Sequence, residues 1–241
     1  MGRYTRDTGR RHWLRWLLVA IGVLVVLAVA GPFIYIHFFS SSPAALTLPP
    51  ASTSTSTATA NTGDSGPLAG TWTVGSGSVV GYRVNEVLLG QSQTAVGRTT
   101  SVSGHMTITG TTVTSGTFSV PLSTVHSDRP LRDGQFQGRI MEVARYPTAT
   151  FTLTSPIDLT PLPADGVIKH YTAHGNLTLH GTTRAVTFTL AAERSQDGQI
   201  EVNGDIPVLF SDYNIQNPSY VGLVTTQNHG LLEFLLVFSK A

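Results

Sequence analysis

The chain has 241 residues, no cysteine, and charged side chains at only 12% of positions. An exported chain without cysteine has no disulfide framework, so its fold must rest on an apolar core. The formal net charge of +1 averages two regions: five of the fifteen Lys and Arg residues precede Leu17, and the remainder carries ten basic and thirteen acidic residues. That mildly acidic remainder lacks the basic footprint of a nucleic-acid binder.

Residues 1–16 form a basic N-terminus with Arg3, Arg6, Arg10, Arg11 and Arg15. From Leu17 to Phe39 no residue carries a fixed charge. At ~1.5 Å per residue this run predicts a transmembrane helix of about 35 Å. The arginines before it place the N-terminus in the cytoplasm and the rest of the chain outside, as a single-pass cell-membrane protein. Trp13, Trp16 and Tyr35 suit the two interfaces. A cleaved signal peptide is the rival reading, because Ala28-Val29-Ala30 has the small-x-small form of a cleavage site. The apolar run continues past Ala30 to Phe39, which favours an uncleaved anchor.

Residues 40–67 are rich in Ser, Thr and Pro, with Ser52-Thr53-Ser54-Thr55-Ser56-Thr57 at their centre. Such a composition cannot bury enough apolar surface to offset the entropy of ordering, and predicts a disordered linker. As a flexible coil it would reach about 30 Å root-mean-square.

Residues 70–241 read as β. Met106-Thr107-Ile108-Thr109, Thr117-Phe118-Ser119-Val120, Thr150-Phe151-Thr152-Leu153-Thr154 and Val186-Thr187-Phe188-Thr189-Leu190 alternate apolar with polar residues. Period-two alternation buries one face of each strand and leaves the threonine face to solvent. Asp165-Gly166, Asp197-Gly198 and Asn203-Gly204 lie between apolar runs and predict tight turns. The result is an antiparallel meander, and closure into a barrel removes its exposed edges.

Asp128 to Arg145 breaks the pattern. Phe136, Ile140 and Met141 fall together on a helical wheel, while Arg129, Arg132, Arg139 and Arg145 lie largely elsewhere. This predicts a short helical insert ending at Tyr146-Pro147, because proline disfavours helix at the residue before it. The arginines read equally as a solvated face laced with Asp128, Asp133 and Glu142, or as a basic rim at a cavity mouth.

No motif here carries catalysis, and we assign no catalytic residue, cofactor or metal. His170, His174 and His180 are spaced for a strand, where residues four apart stand ~13 Å from each other, too far to share an ion. Gly75-Ser76-Gly77-Ser78 precedes a strand rather than a helix, so it offers no phosphate cradle. Ser123, His126 and Asp128 lack the elbow and oxyanion hole of a triad. Asn176-Leu177-Thr178 is a glycosylation sequon inside an apparent strand.

Three separated pieces occur in order: Arg132-Asp133, then Tyr146-Pro147-Thr148-Ala149-Thr150-Phe151, then Gly175-Asn176-Leu177-Thr178-Leu179-His180-Gly181-Thr182-Thr183. Gly204-Asp205-Ile206 and Phe210-Ser211-Asp212-Tyr213-Asn214-Ile215 follow. Together they resemble the YceI-like family, whose members are described as lipocalin-like barrels binding polyisoprenoids and other long amphiphiles. The resemblance implies an all-β, antiparallel, extended lipocalin-like barrel with a short helical insert. It further implies an isoprenoid or similar long-chain lipid as ligand, with protein partners unknown. Gln135 stands where that family carries a histidine, and cannot titrate in its place.

For such a barrel the lipid-cavity residues are Phe118, Phe136, Ile140, Met141, Phe151, Leu153, Leu177, Leu179, Phe188 and Phe234, with Val186 beside them. Head-group or rim residues are Arg129, Arg132, Gln135, Arg139 and Tyr146. The expected function is a membrane-anchored, extracytoplasmic lipid binder. The alternative is a barrel filled by its own side chains, serving as a structural or interaction domain of the envelope.

Overall fold

A computed structural model of the chain describes residues 13, 16–27, 30, 43–48, 67–88, 90–219 and 224–241. They divide into an N-terminal unit and a barrel unit. In the first, residues 16–27 form helix α1, exposed along its whole length. Among the described residues no helix is long and apolar enough to cross a membrane. The predicted span 17–39 coincides with α1 up to residue 27, and most of its remainder lies outside the described residues.

The barrel unit runs through β1 (Gly70–Val74), β2 (Val79–Leu88), β3 (Gln91–Thr99), β4 (Ser103–Thr109), β5 (Thr112–Pro121) and β6 (His126–Ser127). A helical insert follows, α2 (Pro130–Gln135) continuing as one π-helical turn, Phe136–Ile140. Then come β7 (Thr148–Leu153), β8 (Ile157–Asp158), β9 (Lys169–Leu179), β10 (Thr182–Arg194), β11 (Ile200–Leu209), β12 (Val224–Thr226) and β13 (His229–Lys240). Eight antiparallel strands close the barrel in the order β1-β4-β5-β7-β9-β10-β11-β13, with β13 returning to β1.

Strand β13 is long enough to serve two neighbours on one edge. Its end, Phe238–Lys240, pairs with β1, and its first half, Leu231–Leu235, pairs with β2. At the changeover the buried Ser78 hydroxyl accepts from Val237 N at 2.9 Å, and Gly75 N donates to Val237 O at 2.7 Å. Backbone groups that would lose their partners at the split are thereby satisfied. Beyond it β2, β3 and β6 form a wing that lengthens the wall, and the helical insert packs beside the wing.

Inward residues make two buried clusters. One, toward the insert, includes Leu122, Met141, Leu177, Leu179, Phe188, Ile206 and Tyr213; the other, toward β1, includes Trp72, Met106, Ile108, Ile200 and Phe238. Leu153, Ile157 and Phe234 pack against both. Between them stand four rings: Phe118–Phe151, Phe151–Phe188 and Phe188–Phe234, at centroid separations of 6.4, 5.5 and 5.8 Å. Three of these rings lean over glycines, Phe118 over Gly104, Phe151 over Gly175 and Phe234 over Gly204. A Cβ at Gly175 would stand 2.2 Å from the Phe151 ring, and one at Gly204 2.8 Å from the Phe234 ring.

That contact corrects one turn prediction. Asn203-Gly204 lies inside β11, opposite Leu235 and Phe234, because the glycine makes room for a ring rather than for a reversal. Asp197-Gly198 does turn β10 into β11, with Gly198 at φ 78° and its N–H donating to Ser195 O. Asp165-Gly166 turns within the segment between β8 and β9, with Gly166 at φ 77°.

The linker expectation also changes in part. Residues 43–48 are extended against the outer barrel wall: Arg83 Nη2 donates to Pro43 O at 2.9 Å, Arg98 Nη2 to Ala44 O, and Asn203 Nδ2 to Leu46 O at 2.9 Å. Leu48 is buried. Side-chain donors on the wall thus hold backbone carbonyls that composition alone assigned to water. Residues 40–42 and 49–66 of the predicted linker lie outside the described residues.

Candidate functional site

The barrel encloses a cavity of about 1010 Å³. All ten predicted cavity residues line it. Phe118, Phe151, Leu153, Leu177, Leu179, Phe188 and Phe234 project from the wall, on the inward phase of their strands. Phe136, Ile140 and Met141 reach it from the insert, where Met141 is buried and the other two half-buried. Val186 packs against the same core without lining the cavity. The barrel is therefore not filled by its own side chains. At ~30 Å³ for each water-sized group, the space holds on the order of thirty to forty non-hydrogen atoms.

The insert is pinned from below. Asp133 Oδ1 accepts from Ser127 N at 2.8 Å and from Ser127 Oγ at 2.6 Å, and Asp133 Oδ2 meets His126 Nδ1 at 3.2 Å. Burial pushes the Asp133 carboxyl up, but these hydrogen bonds outweigh it and hold it below the usual carboxylate range. His126 Nδ1 thus helps to pin the insert through Asp133. Above, the Phe136 ring stacks on Tyr82 of β2 at 5.0 Å.

Polar groups collect at this end of the cavity. Glu86 Oε1 accepts from Gln93 Nε2 at 2.5 Å and from Arg132 Nη2 at 3.1 Å. Arg132 also pairs with Asp128, which meets Arg129 Nε at 3.5 Å. Arg139 donates to Gln135 Oε1 and to Pro218 O, each at 3.3 Å. Burial pushes the Tyr82 phenol far up; Arg132 opposes this, while Asp133, Glu86 and Asp128 add to it. The phenol therefore stays a neutral hydrogen-bonding group.

Four of the five predicted rim residues, Arg129, Arg132, Gln135 and Arg139, line the cavity. The structure corrects two details of that rim. Tyr146 is not among the lining residues: its ring meets His180 edge-on at 4.7 Å, with Arg145 over its other side at 5.0 Å. Arg132 is not a free cation facing solvent, since its side chain is 15% exposed and held between two carboxylates. Leu131, in contrast, borders the mouth and is 79% exposed.

Sequence reasoning missed the wing. Val80, Tyr82, Val84, Glu86 and Leu88 of β2 all line the cavity, as do Gln93 and Ala95 of β3. The signal was present as period-two spacing from Val80 to Leu88, with a glutamate and a tyrosine on the inward phase. His180 sits at the β9–β10 turn with φ 49°, its Nδ1–H donating to Tyr213 O at 3.1 Å. Among the described residues no three His, Cys, Asp or Glu side chains group as a metal site.

A split-edged eight-stranded barrel around an apolar cavity, capped by a short insert, has known relatives. The family model of the YceI-like domain matches residues 72–238. The chain belongs to the YceI-like family. Among solved structures, a polyisoprenoid binding domain from Saccharophagus degradans superposes with a TM-score of 0.58 at 18% identity, covering 72% of this chain and 99% of that one. BcnA of Burkholderia cenocepacia gives 0.50 at 18% identity, covering 65% and 95%. At these identities the likeness is one of fold. Against the curated proteins no match is found. In this YceI-like chain the barrel keeps an open cavity, and Gln135 lines it as a hydrogen-bond partner of Arg139.

Proposed function

We propose that this protein holds a polyisoprenoid or similar long-chain amphiphile in its barrel while tethered to the outer side of the cell membrane, as a carrier or reservoir. The observation that carries the reading is the cavity, apolar along its length with hydrogen-bonding groups gathered at the insert end. A related structure described as a polyisoprenoid binding domain supports the ligand class. The tether rests on the sequence, with five arginines ahead of an uncharged apolar run from Leu17 to Phe39.

The energetics suit exchange. Each methylene moved from water into the cavity contributes about 0.8 kcal/mol. Moved from a bilayer it contributes little, since lipid tails already lie in an apolar medium. A tethered barrel can then load from and return to the bilayer. At the mouth Arg132 is balanced by Glu86 and Asp128, so a head group meets donors and acceptors rather than a net positive pocket.

The test is to purify the full chain from its native membrane in mild detergent and identify bound lipid by native mass spectrometry. A stoichiometric long-chain amphiphile is expected, and its removal should lower the melting temperature, because a ligand bound only to the native state stabilises it. A protein that carries no lipid and takes up no quinone, polyprenol or fatty acid would overturn the reading.

A further inference from the structure

Glu233 projects from the outer face of β13 and is nonetheless buried, 5% exposed. Its two oxygens are taken by guanidinium groups from neighbouring strands, Oε2 by Arg83 Nε at 3.2 Å and Oε1 by Arg98 Nε at 2.8 Å. Its carboxylate is engaged by these two arginines on the strand phase opposite Leu232 and Phe234, although the residue also borders the cavity. Each arginine uses its remaining donors on the same object: Arg83 holds the carbonyl of Pro43 and Arg98 that of Ala44. Asn203, on β11, completes the row by bonding Leu46 O and, within the wall, Phe234 O at 3.1 Å. Three wall side chains therefore grip three carbonyls of one extended segment, and Leu48 is buried at its end. A Cβ at Gly81 would stand 2.1 Å from Gly97 O and 2.9 Å from Arg98 Cγ, so the glycine makes room for the β3 backbone and for the stem of Arg98.

At the other end of the Ser/Thr-rich run the chain is fixed again. Lys240 Nζ donates to Pro67 O at 2.5 Å and Trp72 Nε1 to Leu68 O at 2.8 Å. Residues 49–66 thus connect two points that both belong to the barrel. A segment closed at both ends cannot lengthen or shorten a leash.

We propose that residues 43–48 are a strap whose docking on the β11–β13–β2–β3 wall sets the length of the membrane tether. The tether is then the short stretch between Phe39 and Pro43, and the Ser/Thr-rich run lies outside it. This rests on the reading of residues 17–39 as an anchor. Four residue steps extend to about 14 Å at most, against about 30 Å root-mean-square for a flexible 28-residue linker. The strap keeps the barrel at the bilayer surface, where exchange of an insoluble lipid needs it.

Because the chain has no cysteine, Asp197→Cys gives a single labelling position on an exposed turn far in sequence from the strap. The full-length labelled protein is reconstituted in phosphatidylcholine–phosphatidylglycerol vesicles carrying an acceptor lipid, with and without a Gly/Ser insertion after Thr57. Energy transfer should change by less than roughly a tenth on insertion, because the added residues are not in the tether. In the Leu48→Asp, Asn203→Ala variant the strap is released, and transfer should fall and fall further with the insertion. Thermolysin cleavage before Leu46, present in both proteins, should be slow in the parent and at least tenfold faster in that variant. If the insertion alone lowers transfer in the parent, or thermolysin cuts parent and variant alike, the strap is wrong. If the protein leaves the vesicles in a carbonate wash, the anchor and the tether fall together, while the thermolysin comparison still decides the docking.

Discussion

Phe136 stacks on Tyr82 with ring centroids 5.0 Å apart, and this contact ties the helical insert to the β2–β3 wing. The insert is otherwise held by Asp133 on Ser127 and by the burial of Met141. This ring pair is thus the insert's contact with the wing, and both rings line the cavity. Phe136→Ala should cost about 2–3 kcal/mol, below the range for a fully buried phenylalanine because Phe136 is only half-buried. It should also speed lipid release. Denaturant unfolding and the rate of quinone efflux from the loaded barrel check the two effects separately. An unchanged efflux rate would mean the insert is not a gate.

The arginines at the mouth should behave unequally. Arg132 bridges Glu86 and Asp128, so Arg132→Gln leaves the poorly exposed Glu86 short of its counter-charge. A loss of about 1–3 kcal/mol is expected, less than for a wholly buried pair. Arg139→Gln, which gives up one side-chain and one backbone acceptor at an exposed site, should cost under about 0.5–1 kcal/mol. Thermal unfolding of the two variants makes the comparison. With its charge so balanced, the mouth should load lipid from anionic and zwitterionic vesicles at rates that differ little and depend weakly on salt.

Most of the barrel could be read from the chain because its inward residues are large and alternate strictly, as in Thr150–Leu153 and Val186–Leu190. Phe118, Phe151, Leu153, Leu177, Leu179 and Phe188 lie on such alternation, whereas Phe136, Ile140 and Met141 follow from the helical spacing of the insert. The wing was hidden by its own polarity: Tyr82, Glu86 and Gln93 point inward where the rule expects apolar groups. Gly204 was misread because a glycine beside asparagine looks the same whether it makes a turn or admits a ring. The strap could not be found from composition, since its carbonyls are held by side chains that arrive from residues 83, 98 and 203.

Acid should loosen the insert before it unfolds the barrel. The Asp133 carboxyl titrates below its unfolded value in the native state, despite the opposing effect of burial. Its contribution is therefore complete above the unfolded carboxylate value of about 3.9 and is lost as pH falls through the lower native one. Asp133→Asn keeps the shape but accepts weakly from Ser127 N, so it should be less stable near neutrality. Its disadvantage should shrink toward the acid end. Hydrogen exchange of residues 130–140 as a function of pH, compared with the barrel strands, provides the measurement. A constant difference between parent and variant at all pH values would remove Asp133 from the pH dependence.

The four phenylalanines at the waist should set which chain lengths the cavity accepts. Phe118, Phe151, Phe188 and Phe234 meet in sequence, and Gly204 leaves the space into which the Phe234 ring leans. In Gly204→Val the new Cβ would stand 2.8 Å from the Phe234 ring and 3.1 Å from Thr189 O. The backbone carbonyl cannot yield, so the ring must swing into the cavity. Overpacking of this kind costs about 1–3 kcal/mol, which a single barrel of this size should survive. The displaced ring narrows the passage between the two clusters, and lipid then fills only the insert end. Native mass spectrometry of the variant loaded from a mixture of short and long polyprenols should show the distribution shifted toward short chains. Phe234→Ala should shift it the other way. If all three proteins retain the same chain lengths, the waist is packing only, and length selection lies at the ends.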